Sequence, residues 1–429
     1  MRTGTFTVCC VLCAVCWTAA TGWAESLEKP FKVGGHLRQE TAYRVDESRE
    51  WTKLRQQVLL TESGRLTESL RFRLSQRAWY DAVHDLTDNF EDPVKTNQRW
   101  LVELRDAYLD YSQGSFDVRL GKQQIVWGDA VGLFFADVVN AKDLREYILP
   151  EFDLIRIPQW ALDLEWSGEP FHGELVWIPV RAFHRLGASG SEFEFPLPVP
   201  SGSPRVFTDP SKPPESFSNS EAGARASVLL GGWDISSFYL YSWDKFPVLF
   251  RTIDSGTYRF QPKYRRAHRL GGSFSKAMGD VVLKGELLVT PKQHLVTYDT
   301  TDTDGILRRA TVEYLIGADY TLFGRVDANV QLMQRLIADH ADLMEEDDVR
   351  SHLSVWLKSD FFNQKIKPEL LVIAGLTEPD VLYRPKVTLA LTPHLEAILG
   401  ADIFQGHRAG LFGRFDNSSR LYTQLTYYF

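Results

Sequence analysis

Cysteine is almost missing from this chain. All four, Cys9, Cys10, Cys13 and Cys16, fall within the first 16 of 429 residues. Beyond them no disulfide, thiol nucleophile or cysteine-ligated metal is available. Long apolar runs are missing too: past residue 24 nothing approaches the roughly 18 residues that a membrane-spanning helix needs. A basic excess is absent, and a formal net charge of −8 argues against a general nucleic-acid binder. The ten histidines form no His-x3-His pair. "GASGS" (187–191) lacks the spacing and context of a nucleophile elbow. "TDTDG" (301–305) and "EEDD" (345–348) complete no EF-hand loop and read as solvated loop charges. The expectation is a chain with no catalytic residue, no metal and no cofactor.

Aromatics and alternation are abundant instead. Aromatic residues make up 13% of the chain, with 12 Trp. The N-terminus "MRTGTFTVCCVLCAVCWTAATGWAES" has one Arg, an apolar core from Phe6 to Trp17, and small residues Gly22 and Ala24 at −3 and −1. This is the anatomy of a secretory signal peptide, residues 1–24, cleaved after Ala24. The exported chain, 25–429, would then contain no cysteine.

Period-two patterning recurs through that chain. In 309–322, Ala310, Val312, Tyr314, Ile316, Ala318 and Tyr320 share one face, while Arg309, Thr311, Glu313, Gly317 and Asp319 share the other. After Phe323-Gly324 the pattern resumes with Val326, Ala328, Val330 and Leu332 against Asp327, Asn329 and Gln331, as in a hairpin. About eighteen such segments run from 31–45 to 419–429, many of ten or more residues, the length that crosses a bilayer with tilt. Some links are minimal, such as Gln113-Gly114 and Gly231-Gly232. Others are long and polar: 181–219, which is rich in proline, 245–262, 292–306, 338–349 and 405–418. Short turns opposite long loops, with alternation that averages out in hydropathy, predict an all-β fold: a transmembrane antiparallel β-barrel of about 16–18 strands. The ending "SRLYTQLTYYF" places Leu421, Thr423, Leu425, Tyr427 and Phe429 on one face. As a last strand closing on the first it needs no tail. Its terminal Phe429 resembles the sorting signature that barrel-assembly machinery reads in bacterial outer-membrane proteins.

One stretch breaks the alternation. Residues 120–160 read "LGKQQIVWGDAVGLFFADVVNAKDLREYILPEFDLIRIPQW". Irregular backbone at membrane depth is tolerated where it lines a water-filled cavity, so 126–158 is expected to fold inward and narrow the lumen. Leu133, Phe134, Phe135, Val138 and Val139 would pack on the inner wall. Asp137, Asn140, Asp143, Arg145 and Glu146 would bring charged and polar groups to a constriction, either meeting solute or pinning the segment to the wall. Arg119 and the row Arg71, Arg73 and Arg77 would face the lumen, the row as an anion-attracting ladder.

"RLGKQQIVWGDA", "DVVNAKDLRE" and "GADIFQGHRAGLFGRFDNSSRLYTQLTYYF" resemble uncharacterised proteobacterial outer-membrane barrels, porin-like and alginate-export-like. The resemblance implies the outer membrane of a Gram-negative bacterium and contact with its lipid. The expected function is passive diffusion of small polar or amphipathic solutes through a porin. The alternatives are a dedicated export conduit for polysaccharide or lipid, working with periplasmic partners, and an outer-membrane barrel enzyme, for which no catalytic constellation is visible.

Overall fold

The structure, a computed structural model, describes residues 31–46, 48–195 and 204–429. The expected signal peptide and its cleavage at Ala24 lie outside the described residues. Eighteen strands form one antiparallel sheet. They are β1 (Lys32–Arg44), β2 (Trp51–Arg65), β3 (Leu70–Asp81), β4 (Trp100–Gln113), β5 (Phe116–Gln123) and β6 (Gln159–Gly168). Then come β7 (Phe171–Val180), β8 (Glu221–Leu230), β9 (Trp233–Trp243), β10 (Arg266–Met278), β11 (Val281–Val296) and β12 (Ile306–Leu322). The last six are β13 (Val326–Ile337), β14 (Val349–Ser359), β15 (Ile366–Gly375), β16 (Asp380–Thr392), β17 (Leu395–Gly406) and β18 (Arg420–Tyr428). Each pairs with its sequence neighbours, and β18 pairs with β1 from His36↔Tyr428 to Arg44↔Arg420. The sheet is therefore a closed barrel, and closure leaves no strand edge unpaired.

The alternation decides which face looks where. On β12 and β13 the register sets Ile316 against Leu332 and Ala318 against Val330 on the outer face. On the inner face it sets Glu313 against Arg335, which ion-pair at 2.6 Å. Exposed Phe116, Trp166, Phe171, Tyr320 and Tyr427 ring the outside near the short turns, and Trp51, Tyr80 and Trp100 ring the opposite end. Such paired girdles are where amphipathic rings settle at membrane–water boundaries. Tight turns depend on left-handed backbone: Gly231 and Gly232 take φ of 58° and 77°, which suits a two-residue hairpin link. Both ends of the described barrel, Lys32 of β1 and Tyr428 of β18, lie at the short-turn end.

Two expectations on the long loops are corrected, and one connection holds structure that was not foreseen. Segment 245–262 is not plain loop: Val248–Asp254 and Thr257–Lys263 form a hairpin, with Arg205–Phe207 added in parallel. The expected loop 292–306 is shorter, because β11 runs on to Val296 beyond a bulge after Thr290. Two short helices, Val83–Leu86 and Asp92–Gln98, sit between β3 and β4. Their apolar Val83 and Val94 pack with Phe90 of the link between them, a pattern too brief for helical periodicity to betray.

Candidate functional site in the barrel lumen

Between β5 and β6 the chain leaves the wall for residues 124–158. Asn140 closes the base of this excursion: its side chain accepts from the Ile125 N–H at 3.3 Å and donates to the Ile125 carbonyl at 2.5 Å. At Gly128 a side chain would collide, since a Cβ would sit 2.6 Å from the Asp137 nitrogen. From this base the segment meets inward-facing residues around the barrel. Trp127 Nε1 donates to both oxygens of Glu174 on β7, at 2.9 and 3.0 Å. The backbone N–H groups of Asp129 and Ala136 donate to Glu286 on β11, at 2.5 and 3.2 Å. Val131 N–H donates to Gln331 on β13 at 3.1 Å. Arg384 on β16 donates to the carbonyls of Ile148 and Leu149, at 3.4 and 2.6 Å. Arg105 on β4 donates to the carbonyls of Asp153, Leu154 and Arg156.

The apolar residues divide between two walls. Phe135, Val138 and Val139 join Ile178, Phe238 and Leu288, while Leu133 and Phe134 join Leu371, Ile373 and Leu382. The polar residues, expected either to meet solute or to pin the segment to the wall, are largely shielded from water and paired. Asn140 is fully buried, Asp137 is 4% exposed and Arg145 7%. Asp137 is paired with Arg156 at 2.7 Å, and Asp143 with Arg145 at 2.6 Å. Lys142 Nζ donates to the Asp137 carbonyl at 2.6 Å; burial pushes its ammonium down to about 8. Glu146 binds Lys53 and Arg55 of β2 and lies 3.8 Å from Arg420 of β18. Burial pushes the Glu146 carboxyl up, but Arg55, Lys53 and Arg420 together outweigh it and hold the group well below the usual carboxylate range. The physical reason for the pairing is simple: a charge at this depth is tolerable only when paired.

The arginine row is placed on the inner face of β3, with carboxylates of β4 beside it. Arg71 lies 3.2 Å from Asp110, Arg73 3.3 Å from Asp106, and Arg77 2.6 Å from Glu103. Arg119 of β5 shares Asp110 at 3.7 Å. Arg71 and Arg73 remain about half exposed; Arg77 is buried. Among the described residues the row approaches the inward segment at Arg77, whose partner Glu103 also binds Arg105 and Arg185.

Sequence reasoning missed two further inward pieces, within loops read as external. Phe193, Phe412 and Phe415 pack with Tyr147 and Phe404 into one core, and His184 Nδ1 accepts the Lys142 N–H at 2.8 Å. Their signal was present, as phenylalanines inside otherwise polar loops. Beside residues 143–155, between β1–β3 and β16–β18, a cavity remains, lined by eight basic and five acidic side chains.

A closed 18-strand barrel with polar interior and apolar belt belongs to the outer-membrane porin and channel class of fold. The family described as "Protein of unknown function (DUF1302)" matches residues 52–367, and the chain belongs to that family. OccAB1 of Acinetobacter baumannii is similar in structure, with a TM-score of 0.55 at 9% identity, over 93% of this chain and 96% of that one. OpdK of Pseudomonas aeruginosa, solved with vanillate, gives a TM-score of 0.51 at 10% identity, over 93% and 98%. At such identities the likeness shows the fold. No curated protein matches the chain in sequence.

Proposed function

We propose that this protein is a passive channel of the Gram-negative outer membrane, admitting small polar or amphipathic solutes through a lumen narrowed by residues 124–158. One observation carries the reading: a single segment hydrogen-bonds to Glu174 on β7 and Arg384 on β16, on opposite sides of the barrel, and leaves beside it a cavity lined by charges of both signs. Irregular backbone bounding a polar cavity sets the width and field that select solutes. Asp137, Asn140, Asp143, Arg145 and Glu146 act here by holding the segment, and Arg71, Arg73 and Arg119 by lining the wider approach. Phe429 serves insertion by the barrel-assembly machinery, with its backbone tied to Gly35 at 3.0 and 3.1 Å. Like the vanillate found with OpdK, a small solute with a polar group suits a path of this character. The test is reconstitution in planar bilayers after recovery from the outer membrane as a heat-modifiable band. Stepwise ion conductance is expected; a folded barrel that inserts and carries no current would overturn the reading.

A further inference from the structure

Two groups of ion pairs meet at that cavity, and they are differently balanced. Around Glu146, cations and carboxylates alternate: Lys53, Arg55 and Arg420 face Glu40, Glu146 and Asp402. Next to it, Arg77, Arg105, Arg145 and Arg185 share only Glu103 and Asp143. Each guanidinium touches a carboxylate, but four cations sharing two carboxylates make a local excess of two positive charges among the described residues. Arginine stays protonated at any working pH, so this excess cannot be shed by losing protons. Arg185 reaches water, but Arg77, Arg105 and Arg145 are buried, and three buried cations on two carboxylates favour a further anion.

An independent observation lies at the same place. Trp79 Nε1 and Gln98 Nε2 are buried donors with no hydrogen-bond partner, and both residues line the cavity together with Arg77 and Arg145. A buried N–H without an acceptor is rare and expensive. The indole face of Trp79 is already taken, with the guanidiniums of Arg55, Arg77 and Arg145 at 4.7, 4.8 and 5.1 Å from its ring centroid. What remains unmet is an acceptor for its N–H. Arg77 spends Nε and Nη2 on Glu103, at 2.9 and 2.6 Å, which leaves Nη1 for another oxygen.

We propose that Arg77, Arg145, Trp79 and Gln98 form an oxyanion subsite opening on the lumen, for a carboxylate or phosphate group. This rests on reading the cavity as part of the solute path and names the class of solute held there. Excess cationic charge, planar guanidinium donors and two unfilled N–H groups are all satisfied by one group bearing several acceptor oxygens.

The test uses the folded full-length barrel in detergent, with inorganic phosphate as probe and sodium chloride at equal ionic strength as reference. Calorimetry should give saturable phosphate binding that chloride does not reproduce. Trp79→Phe keeps the ring and removes the N–H, and should weaken phosphate binding about tenfold. Arg77→Gln should abolish it. Gln57→Glu places a fixed carboxylate in the same cavity, across from Trp79 in the β2–β3 register, and should also abolish it. Should Arg77→Gln fail to assemble, Trp79→Phe and Gln57→Glu decide the matter. Absence of binding in the unmodified protein, or wild-type affinity in those variants, overturns the subsite. Conductance separates this from the channel reading: a protein that binds phosphate and carries no current refutes the channel and keeps the subsite. A channel indifferent to phosphate in both binding and current refutes the subsite alone.

Discussion

The barrel wall and the segment inside it are held by different bonds. In the wall, each strand satisfies its backbone through its two sequence neighbours, and β1 with β18 completes the circuit. In residues 124–158 a short pairing of 141–142 with 156–157 is local, but other backbone groups are satisfied by side chains far along the chain, such as Glu286, Gln331 and Arg384. The wall is a local pattern repeated eighteen times; the segment is a set of particular, long-range partners. Damage to the first should therefore stop assembly, and damage to the second should loosen the lumen while the barrel still forms.

The largest effect is expected from Gly121→Val on β5. A Cβ there would lie 2.2 Å from the Ala107 carbonyl, at a φ of 134°, so β4 and β5 could not pair. Loss of the heat-modifiable band would follow. Survival of that band would show that the wall tolerates what its geometry forbids.

Next in size is Glu146→Gln, which takes the shared carboxylate from Lys53, Arg55 and Arg420 and leaves them only their outer partners Glu40, Asp81 and Asp402. Breaking a buried ion pair from one side costs about 3–5 kcal/mol, read as a lower urea midpoint of a barrel that still inserts. The same residue sets a pH dependence. Its carboxyl is held below its usual value of 4.5, so the stabilisation is present above that pH and is lost as pH falls through the lowered value. Acid should loosen the segment in the unmodified protein, and Glu146→Gln should flatten that acid limb. An unchanged acid profile would remove Glu146 from the account.

Asn140→Leu should cost less, about 2 kcal/mol, because it leaves the Ile125 N–H and carbonyl unpaired while filling the space. Noisy, higher conductance with normal assembly is the expected record. The smallest effect belongs to Arg71→Gln with Arg73→Gln. Each guanidinium is about half exposed and already faces a carboxylate, so reversal potentials should shift toward cations by less than about twofold in permeability ratio. A large shift would mean that the row acts as a free ladder after all.

How far the sequence could be read follows the same division. Period two is a property of neighbours, so Ile316 and Leu332 or Glu313 and Arg335 could be assigned to their faces from spacing alone. The eighteen alternating segments are the eighteen strands. The inward segment could be located, because its alternation fails and its Leu133, Phe134 and Val139 have no other apolar face to join. Its partners could not be found. Nothing near Glu146 in the chain points to Lys53 or Arg55, and nothing near Asp129 points to Glu286. The burial of Asp137 and Asn140 was unreadable for the same reason, since a charged run reads as solvated until its counter-ions are located. The phenylalanines at 193, 412 and 415 were legible in principle: apolar rings in a polar loop need a core to enter.

We hold that residues 124–158 determine the width of the path. Its most direct measurement is the single-channel conductance, in planar bilayers, of a variant lacking 132–146, compared with the unmodified barrel at the same salt. Normal assembly and a conductance severalfold higher are expected. An assembled variant that conducts as the parent does would contradict it.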